Sequence, residues 1–179
     1  LGKSVLACKV NGKIVPYDYI LKDKDTVFPL TIKSDEGYLI YKESLILLLL
    51  HSAEQITGAD TVFVRQSVNK STYFEINTAL DKTLIAEAIK AKMNETIRTG
   101  EQFHSIKLKR AVLAELFRQN GEADKAELIE KLPAEVITAC KTAKRYHLTY
   151  QPIAYCMEAL SVFDIVPFDD GFLLKYPTN

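Results

Sequence analysis

The chain opens with short runs of apolar and β-branched residues separated by turn residues, a pattern that predicts short β-strands. Residues 4–10 and 13–17 flank the dipeptide Asn11-Gly12. Because Asn-Gly accepts the positive φ angles of a type I′ turn, we expect these two runs to form a β-hairpin. Residues 27–33 are expected to form a third strand, ended by turn residues at 34–37.

The next two patterns predict a helix and a second hairpin. Residues 41–57 have an apolar body and are followed by Gly58, the usual position of a helix stop. Residues 61–68 and 72–76 alternate between apolar and polar side chains around Asn69-Lys70. This alternation has the period of a β-strand, so the sequence predicts two paired strands here.

Apolar positions then return at helical spacing from Asp81 to residue 98, and Gly100 is expected to end that helix. The stretch 133–159 is assigned no element. The other predicted elements are a strand at 104–109, helices at 111–119 and 123–132, and a closing strand pair at 160–166 and 171–176. Together, the hairpins and helices predict an α+β fold with an antiparallel sheet and packed helices.

Composition narrows the class of protein. The formal net charge is zero, from 23 basic and 23 acidic side chains, and a chain that neutralises many phosphates usually has a basic excess. The cysteines, Cys8, Cys140 and Cys156, have no metal-ligand spacing, and their odd number without a signal peptide favours a reducing, cytoplasmic setting. The apolar run at 45–50 is too short to span a bilayer, so no membrane partner is expected.

Three short features have a simpler interpretation than catalysis. Gly2-Lys3-Ser4 resembles the end of a phosphate-binding loop, but such a loop needs an earlier glycine and a following helix, whereas a strand follows here. Asp169-Asp170 is interpreted as a turn between strands. Cys140 and Cys156 would need a nearby base to act as nucleophiles, and His147 is the nearest histidine in sequence. Buried, inert cysteine is the commoner case, so no catalytic residue is assigned.

His51 and Gln55 form a candidate polar site on the first predicted helix. They are four residues apart and therefore share one helix face. Two histidines at this spacing would be half of a metal site, but glutamine is a poor zinc ligand. No metal site is assigned, and a polar pair at a helix end is the simpler interpretation.

Several stretches together resemble known modules. Residues 7–13, ACKVNGK, resemble the second half of a TGS domain, a small β-grasp module. Residues 36–53 and the hairpin at 67–76 resemble the second additional domain of threonyl-tRNA synthetases. The resemblance implies a partial β-grasp module at 1–35 and an editing-domain-like α+β domain at 36–179. Since only half of the TGS module is matched, the chain is expected to be part of a longer protein.

Residues 114–125 and 163–177 resemble uridine-kinase-like proteins of the phosphoribulokinase/uridine kinase family, which carry these modules ahead of a phosphate-loop kinase domain. The resemblance implies that this chain is a non-catalytic accessory region of an ATP-dependent nucleoside phosphotransferase. ATP and Mg²⁺ would then belong to a C-terminal kinase domain of the same protein. No cofactor is expected in this chain itself.

The synthetase domain removes amino acids from mischarged tRNA with a paired-histidine motif and a Cys-x-Gly-Pro-His motif. By resemblance, His51 matches the first histidine, and Gln55 replaces the second. The other motif aligns with residues 149–153, so that Thr149 and Ile153 replace its cysteine and histidine. Isoleucine can neither bind metal nor transfer a proton, which predicts that editing chemistry is lost.

The role of the region itself has three open possibilities. As an accessory region, it would sense a nucleoside or nucleotide, contact RNA or assist domain assembly. The alternative is a degenerate aminoacyl-tRNA editing-type hydrolase. A pure interaction scaffold would differ from the accessory region only in having no pocket ligand. The candidate pocket residues are His51, Gln55, Thr149, Ile153 and Cys156.

Overall fold

A computed structural model gives the structure of the chain at residues 4–58, 62–142 and 145–177. Gly2 and Lys3 of the phosphate-loop-like tripeptide lie outside the described residues, so its interpretation stays a prediction. The first residue of the strand expected at 61–68 also lies outside them.

The chain forms two compact units, which are described separately. The large unit comprises Leu1–Gln102 and Ile153–Asn179, and the inserted unit comprises Phe103–Pro152. The boundary expected between 35 and 36 falls within the large unit. This division into units does not test that boundary, which stays a prediction.

Groups of antiparallel strands are interspersed with helices along the described residues. In chain order they are β1 (Ala7–Val10), β2 (Lys13–Ile14), β3 (Val27–Leu30), α1 (Asp35–Thr57), β4 (Val62–Val68), β5 (Ser71–Ile76), α2 (Lys82–Thr99), β6 (His104–Lys109), α3 (Arg110–Gln119), α4 (Ala123–Glu130), β7 (Val136–Lys141), β8 (Tyr146–Leu148), β9 (Asp164–Phe168) and β10 (Gly171–Lys175). A short 3-10 helix at Met157–Leu160 precedes β9.

The first sheet of the large unit has three antiparallel strands in the order β2-β1-β3. Asn11 and Gly12 have φ angles of 50° and 81° and form the turn between β1 and β2. This confirms the predicted hairpin. Lys9 on β1 forms an ion pair with Glu36 on α1 at 2.5 Å, so the sheet contacts the start of the first helix.

Helix α1 begins before the start that the sequence predicted. Ser34 is its N-cap, since the Ser34 side-chain oxygen accepts a hydrogen bond from the Gly37 N–H at 3.2 Å. Asp35 lies in the first helical turn, where the helix dipole favours a carboxylate. A Cβ atom at Gly37 would lie 1.9 Å from the Thr31 carbonyl oxygen, so only glycine allows this close approach. The expected turn residues are therefore a helix cap.

The second sheet of the large unit has four antiparallel strands in the order β4-β5-β10-β9. Phe74 and Phe172 lie opposite each other on β5 and β10, and their buried rings stack at a centroid distance of 5.2 Å. Helix α2 contacts both α1 and β9. The hydrophobic core of this unit is therefore formed by the two helices and one face of the sheet.

No element is predicted for the stretch 133–159. In the structure this stretch contains β7, β8 and most of the 3-10 helix. Strand β7 buries Ile137, Ala139 and the adjacent Cys140, so its burial does not follow a two-residue alternation. The closing strand starts at Asp164 rather than at residue 160, because the 3-10 helix occupies the preceding segment. Both differences come from tertiary contacts that a local period does not encode.

The inserted unit is a three-stranded antiparallel sheet, in the order β6-β7-β8, with α3 and α4 on one face. Its core consists of apolar residues from the two helices and from β7, with Leu108, Leu132, Tyr146 and Leu148 packed against it. Mixed antiparallel sheets and packed helices confirm the predicted α+β class. In the described part of the chain, every helix is too short or too polar to cross a bilayer.

A buried ion pair connects the start of α4 with the segment before β8. The Arg145 guanidinium lies 3.1 Å from the Glu122 carboxylate, and the two side chains are 10% and 8% exposed. Lys125 contacts the same carboxylate oxygen. Removing one partner of a buried pair leaves the other charge without compensation, and this usually costs more than the pair itself contributes.

We expect Glu122→Ala to lower the free energy of unfolding by about 3 kcal/mol, because the buried Arg145 guanidinium would lose its ion pair with this carboxylate. Glu127→Ala is the matched control, since Glu127 pairs with Lys131 at 2.7 Å with side chains that are 68% and 72% exposed. The control should cost less than about 1 kcal/mol. Urea unfolding of both variants measures this, and equal losses would contradict a structural role for the buried pair.

Candidate functional site

His51 lies in the last turns of α1 and is 1% exposed. Gln55 is one helical turn further on, and its amide nitrogen lies 2.5 Å from His51 Nε2. This confirms that the two side chains share a helix face. Their contact makes them a hydrogen-bonded pair, in which the amide group holds one orientation of the imidazole ring.

A carboxylate that the sequence analysis did not consider reaches the same imidazole. Glu101 Oε1 lies 3.3 Å from His51 Nε2, and the Glu101 side chain is 46% exposed. Glu101 directly follows Gly100, whose φ angle of 70° ends α2 in the left-handed conformation. The helix stop that the sequence predicted therefore turns the chain so that Glu101 contacts α1.

Burial lowers the pKa of His51 below its usual value of 6.5, and this effect exceeds the opposing influence of the Glu101 and Glu54 carboxylates. Lys92 lowers the pKa further. At neutral pH the ring is therefore uncharged, with one nitrogen able to donate and the other able to accept a hydrogen bond.

Cys156 and Glu158 extend this group from the segment around the 3-10 helix. The Cys156 thiol donates a hydrogen bond to Glu158 Oε2 at 2.8 Å. The other carboxylate oxygen, Oε1, lies 3.9 Å from the position of a Cβ atom on Gly100, next to Glu101. We call these residues the His51 corner: His51, Gln55, Glu101, Cys156 and Glu158.

The thiol of the corner is not activated for nucleophilic attack. Burial, and then the hydrogen bond to Glu158, raises the pKa of Cys156 above its usual value of 9.0. The thiolate is the nucleophilic form, so a raised pKa reduces reactivity at neutral pH. In this structure, Cys156 is better suited to donate a hydrogen bond than to attack a carbonyl carbon.

The predicted pocket residues are distributed over both units, each of which is described by itself. His51, Gln55, Ile153 and Cys156 belong to the large unit, whereas Thr149 belongs to the inserted unit. Ile153 is 8% exposed and apolar. The Thr149 hydroxyl is buried, and within the described residues it has no hydrogen-bond partner. Glu101, which lies beside His51, and Glu158, which lies near Gly100, were missed because their positions arise from packing, although the stop at Gly100 pointed to a change of direction there.

The structure also pairs the second candidate thiol with a histidine. Cys140 on β7 and His147 on β8 are cross-strand partners. Both are buried, and burial raises the pKa of Cys140 to about 12. The thiol therefore stays protonated at neutral pH, which agrees with the interpretation of Cys140 as an inert buried cysteine.

The chemistry available in the His51 corner is recognition of a polar, positively charged group. A neutral imidazole and an amide offer hydrogen bonds, and the carboxylates of Glu101 and Glu158 attract a cation. Among residues 4–58, 62–142 and 145–177, no three histidine, cysteine or acidic side chains are grouped so that they could hold a metal ion. An ammonium group next to hydroxyls would match these donors and acceptors.

Comparison with known proteins points to the class of aminoacyl-tRNA ligases. No family model matches the chain. Relatives are threonine–tRNA ligases: that of Desulforamulus reducens is 28% identical over 141 residues, covering 78% of this chain and 22% of the ligase. The ligase of Herminiimonas arsenicoxydans is 30% identical over 138 residues (75% and 21%), and that of Clostridioides difficile is 26% identical over 145 residues (79% and 22%).

These homologous segments are the N-terminal regions of the ligases. The chain thus spans about a fifth of the length of the curated relatives that it matches. The expected resemblance to a threonyl-tRNA synthetase accessory region is supported in this coarser form. These relatives give no support to the uridine-kinase-like parent, nor to ATP-dependent phosphotransfer.

We expect the stability of the chain to fall as the pH is lowered below 6.5. The unfolded chain takes up a proton at His51 near pH 6.5, whereas the folded chain resists protonation because its pKa is lower. The loss should be smaller in His51→Gln. Urea unfolding between pH 5 and 8 measures it, with the exposed His104→Gln as the control. A decline that is the same in His51→Gln and in the native chain would contradict this assignment.

Proposed function

We propose that this chain is an editing-type accessory region of a threonine–tRNA-ligase-like protein, and that its His51 corner binds the aminoacyl end of tRNA. The observation that carries the proposal is the similarity to threonine–tRNA ligases over three quarters of the chain. The proposed partner is therefore an aminoacylated RNA end, together with a catalytic domain of the same protein.

The geometry of the corner suits the two polar groups of such a ligand. The α-ammonium group of an aminoacyl ester would pair with the Glu101 carboxylate, which is partly exposed. The side-chain hydroxyl of serine or threonine, or a ribose hydroxyl, would bond to His51 and Gln55. These contacts involve groups that already lie within 3.3 Å of the imidazole.

Recognition of small hydroxyl amino acids has a chemical reason. A binding pocket discriminates weakly, by about 10- to 200-fold, between ligands that differ by one methyl or methylene group, so a ligase selective for threonine benefits from a second site that binds serine. A corner built from hydrogen-bonding groups, with apolar Ile153 in the same unit, is compatible with such a second site. We therefore propose serine and threonine esters as the ligand class.

The residues of the corner favour binding of the ester without its hydrolysis. Hydrolysis of the ester needs a base that accepts a proton or an activated nucleophile. The lowered pKa of His51 makes its imidazole a weaker base, and the raised pKa of Cys156 keeps its thiol protonated, so neither group is well suited to these roles at neutral pH. Ile153, at the position expected for a histidine, adds neither function.

The sequence resemblance also implied a second kind of parent protein. A uridine-kinase-like parent, with ATP and Mg²⁺ in a kinase domain, would make the corner a sensor of nucleosides or nucleotides. None of the relatives described above supports it. The two parents differ in the ligand: an aminoacyl group for the ligase-like protein, and a bare nucleoside for the kinase.

A stable amide analogue of the aminoacyl end separates these ligands. We expect 3′-seryl- or 3′-threonylamino-3′-deoxyadenosine to raise the Tm of the chain, because a ligand that binds only the folded state stabilises it. Glu101→Gln should abolish the shift, since it removes the charge that would pair with the ammonium group, and the exposed His104→Gln should retain it.

Three outcomes would contradict the proposal. An equal shift with adenosine or uridine would favour a nucleoside sensor. No shift with any of these compounds would favour a scaffold without a ligand. Release of serine from seryl-tRNA by the chain, lost in His51→Gln, would show that the region is a hydrolase and not only a binding domain.

A further inference from the structure

The segment that carries Cys156 is attached to the first sheet of the large unit by its backbone. After the inserted unit, the chain returns at Ile153. The Tyr155 N–H donates a hydrogen bond to the Leu6 carbonyl oxygen at 2.8 Å, and the Leu6 N–H donates to the Leu30 carbonyl oxygen at 2.8 Å. Leu6, just before β1, is therefore hydrogen-bonded both to the last residue of β3 and to the returning segment.

The Tyr155 side chain strengthens this attachment at a second point. Its hydroxyl donates a hydrogen bond to the Val15 carbonyl oxygen and accepts one from the Cys8 N–H, the latter at 3.3 Å. Burial raises the pKa of Tyr155, so the hydroxyl keeps the proton that it donates. The Tyr155 hydroxyl is therefore hydrogen-bonded both to β1 and to the residue that follows β2.

The same segment is also hydrogen-bonded to helix α1. The Ala154 N–H donates to the Ser44 hydroxyl oxygen at 2.7 Å, and that hydroxyl donates to the Ile40 carbonyl oxygen at 2.6 Å. Ala154 and Ser44 are both buried. The residues immediately before Cys156 are therefore fixed to α1, which carries His51, and to the first sheet.

We propose that Tyr155 is a positioning residue, which fixes the Cys156–Glu158 contact in the His51 corner by tying residues 153–156 to the strands β1–β3. In this proposal the position of the first sheet influences the positions of the corner side chains through the Tyr155 hydroxyl. The functional consequence rests on the proposed function of the corner. The placement of Cys156 and Glu158 does not, and it can be measured without any ligand.

The Cys156 thiol gives a direct measure of this placement. Glu158 is the charged group that raises its pKa, after burial. The other titratable groups of this region are His51 and Glu54 on α1 and Glu101 after α2. Cys156 is the most accessible of the three cysteines, since Cys8 and Cys140 are buried. Its alkylation rate as a function of pH therefore reports on burial and on the Glu158 contact.

The experiment is a double-mutant cycle on Cys156 alkylation by iodoacetamide, followed by mass spectrometry of the full chain. Tyr155→Phe keeps the ring and removes both hydroxyl hydrogen bonds. We expect it to speed alkylation at least about twofold, the lower limit for groups that are energetically coupled. Glu158→Gln should also speed alkylation in the native background, because it removes the carboxylate that raises the pKa. In the Tyr155→Phe background, Glu158→Gln should add little, because the contact is already lost.

Tyr17→Phe is the matched control. The Tyr17 ring contacts the Tyr155 ring edge-on at 5.6 Å, but within the described residues its hydroxyl makes no hydrogen bond. This variant should leave both the rate and its pH dependence unchanged.

Additive effects of Tyr155→Phe and Glu158→Gln would overturn the proposal, because they would show that Tyr155 stabilises the fold without fixing the Cys156–Glu158 contact. A parallel increase in the alkylation of fully buried Cys140 would also overturn it, since that would indicate global opening. Non-additive effects, with Cys140 protected, support it. If the aminoacyl analogue fails to bind while the cycle is non-additive, the proposed function fails and the positioning role stands.

Discussion

The burial of helix α1 is the constraint on which the rest of the large unit depends. Polar groups on a buried helix lose their hydrogen bonds to water and need partners inside the protein. Ser44 finds one in the Ala154 N–H, and the Tyr41 hydroxyl donates to the Val162 carbonyl oxygen at 2.6 Å. Both partners lie in the part of the chain that returns after the inserted unit. The returning segment is thus hydrogen-bonded at two points to polar side chains of α1.

The same burial determines the electrostatic character of the His51 corner. Low polarity around the imidazole and the thiol favours the neutral form of each group, which lowers the pKa of His51 and raises that of Cys156. Glu101, by contrast, is nearly half exposed and lies beside the imidazole. The corner therefore combines neutral hydrogen-bonding groups inside with a carboxylate at its rim. This combination favours binding of a cationic, hydroxylated ligand over proton transfer.

A chain similar to threonine–tRNA ligases can keep the core of the fold while the side chains of the site differ. The chain matches these relatives over three quarters of its own length but only about a fifth of theirs. A fold can serve several functions, because function depends on a few side chains placed on a common scaffold. In the alignment predicted from the sequence, Gln55 and Ile153 replace two motif histidines. Such changes would remove chemistry without removing the apolar positions that hold α1 and the sheets together.

Features that depend only on neighbouring residues could be predicted from the amino-acid sequence. The Asn11-Gly12 hairpin, the helix stops at Gly58 and Gly100, and the shared face of His51 and Gln55 follow from local φ preferences and from helical period, and the structure has all of them. These preferences act over a few residues, so they can be recognised without knowledge of the fold.

The contacts between distant residues, and the depth of their burial, depend on how the whole chain packs. Glu101 and Glu158 reach the corner through the packing of α1, α2 and the 3-10 helix, and no spacing in the sequence links them to His51. Strand β7 also escaped detection, because it buries adjacent residues. Burial depends on everything that surrounds a side chain, and for this reason the charge states of His51 and Cys156 could be derived only from the folded chain.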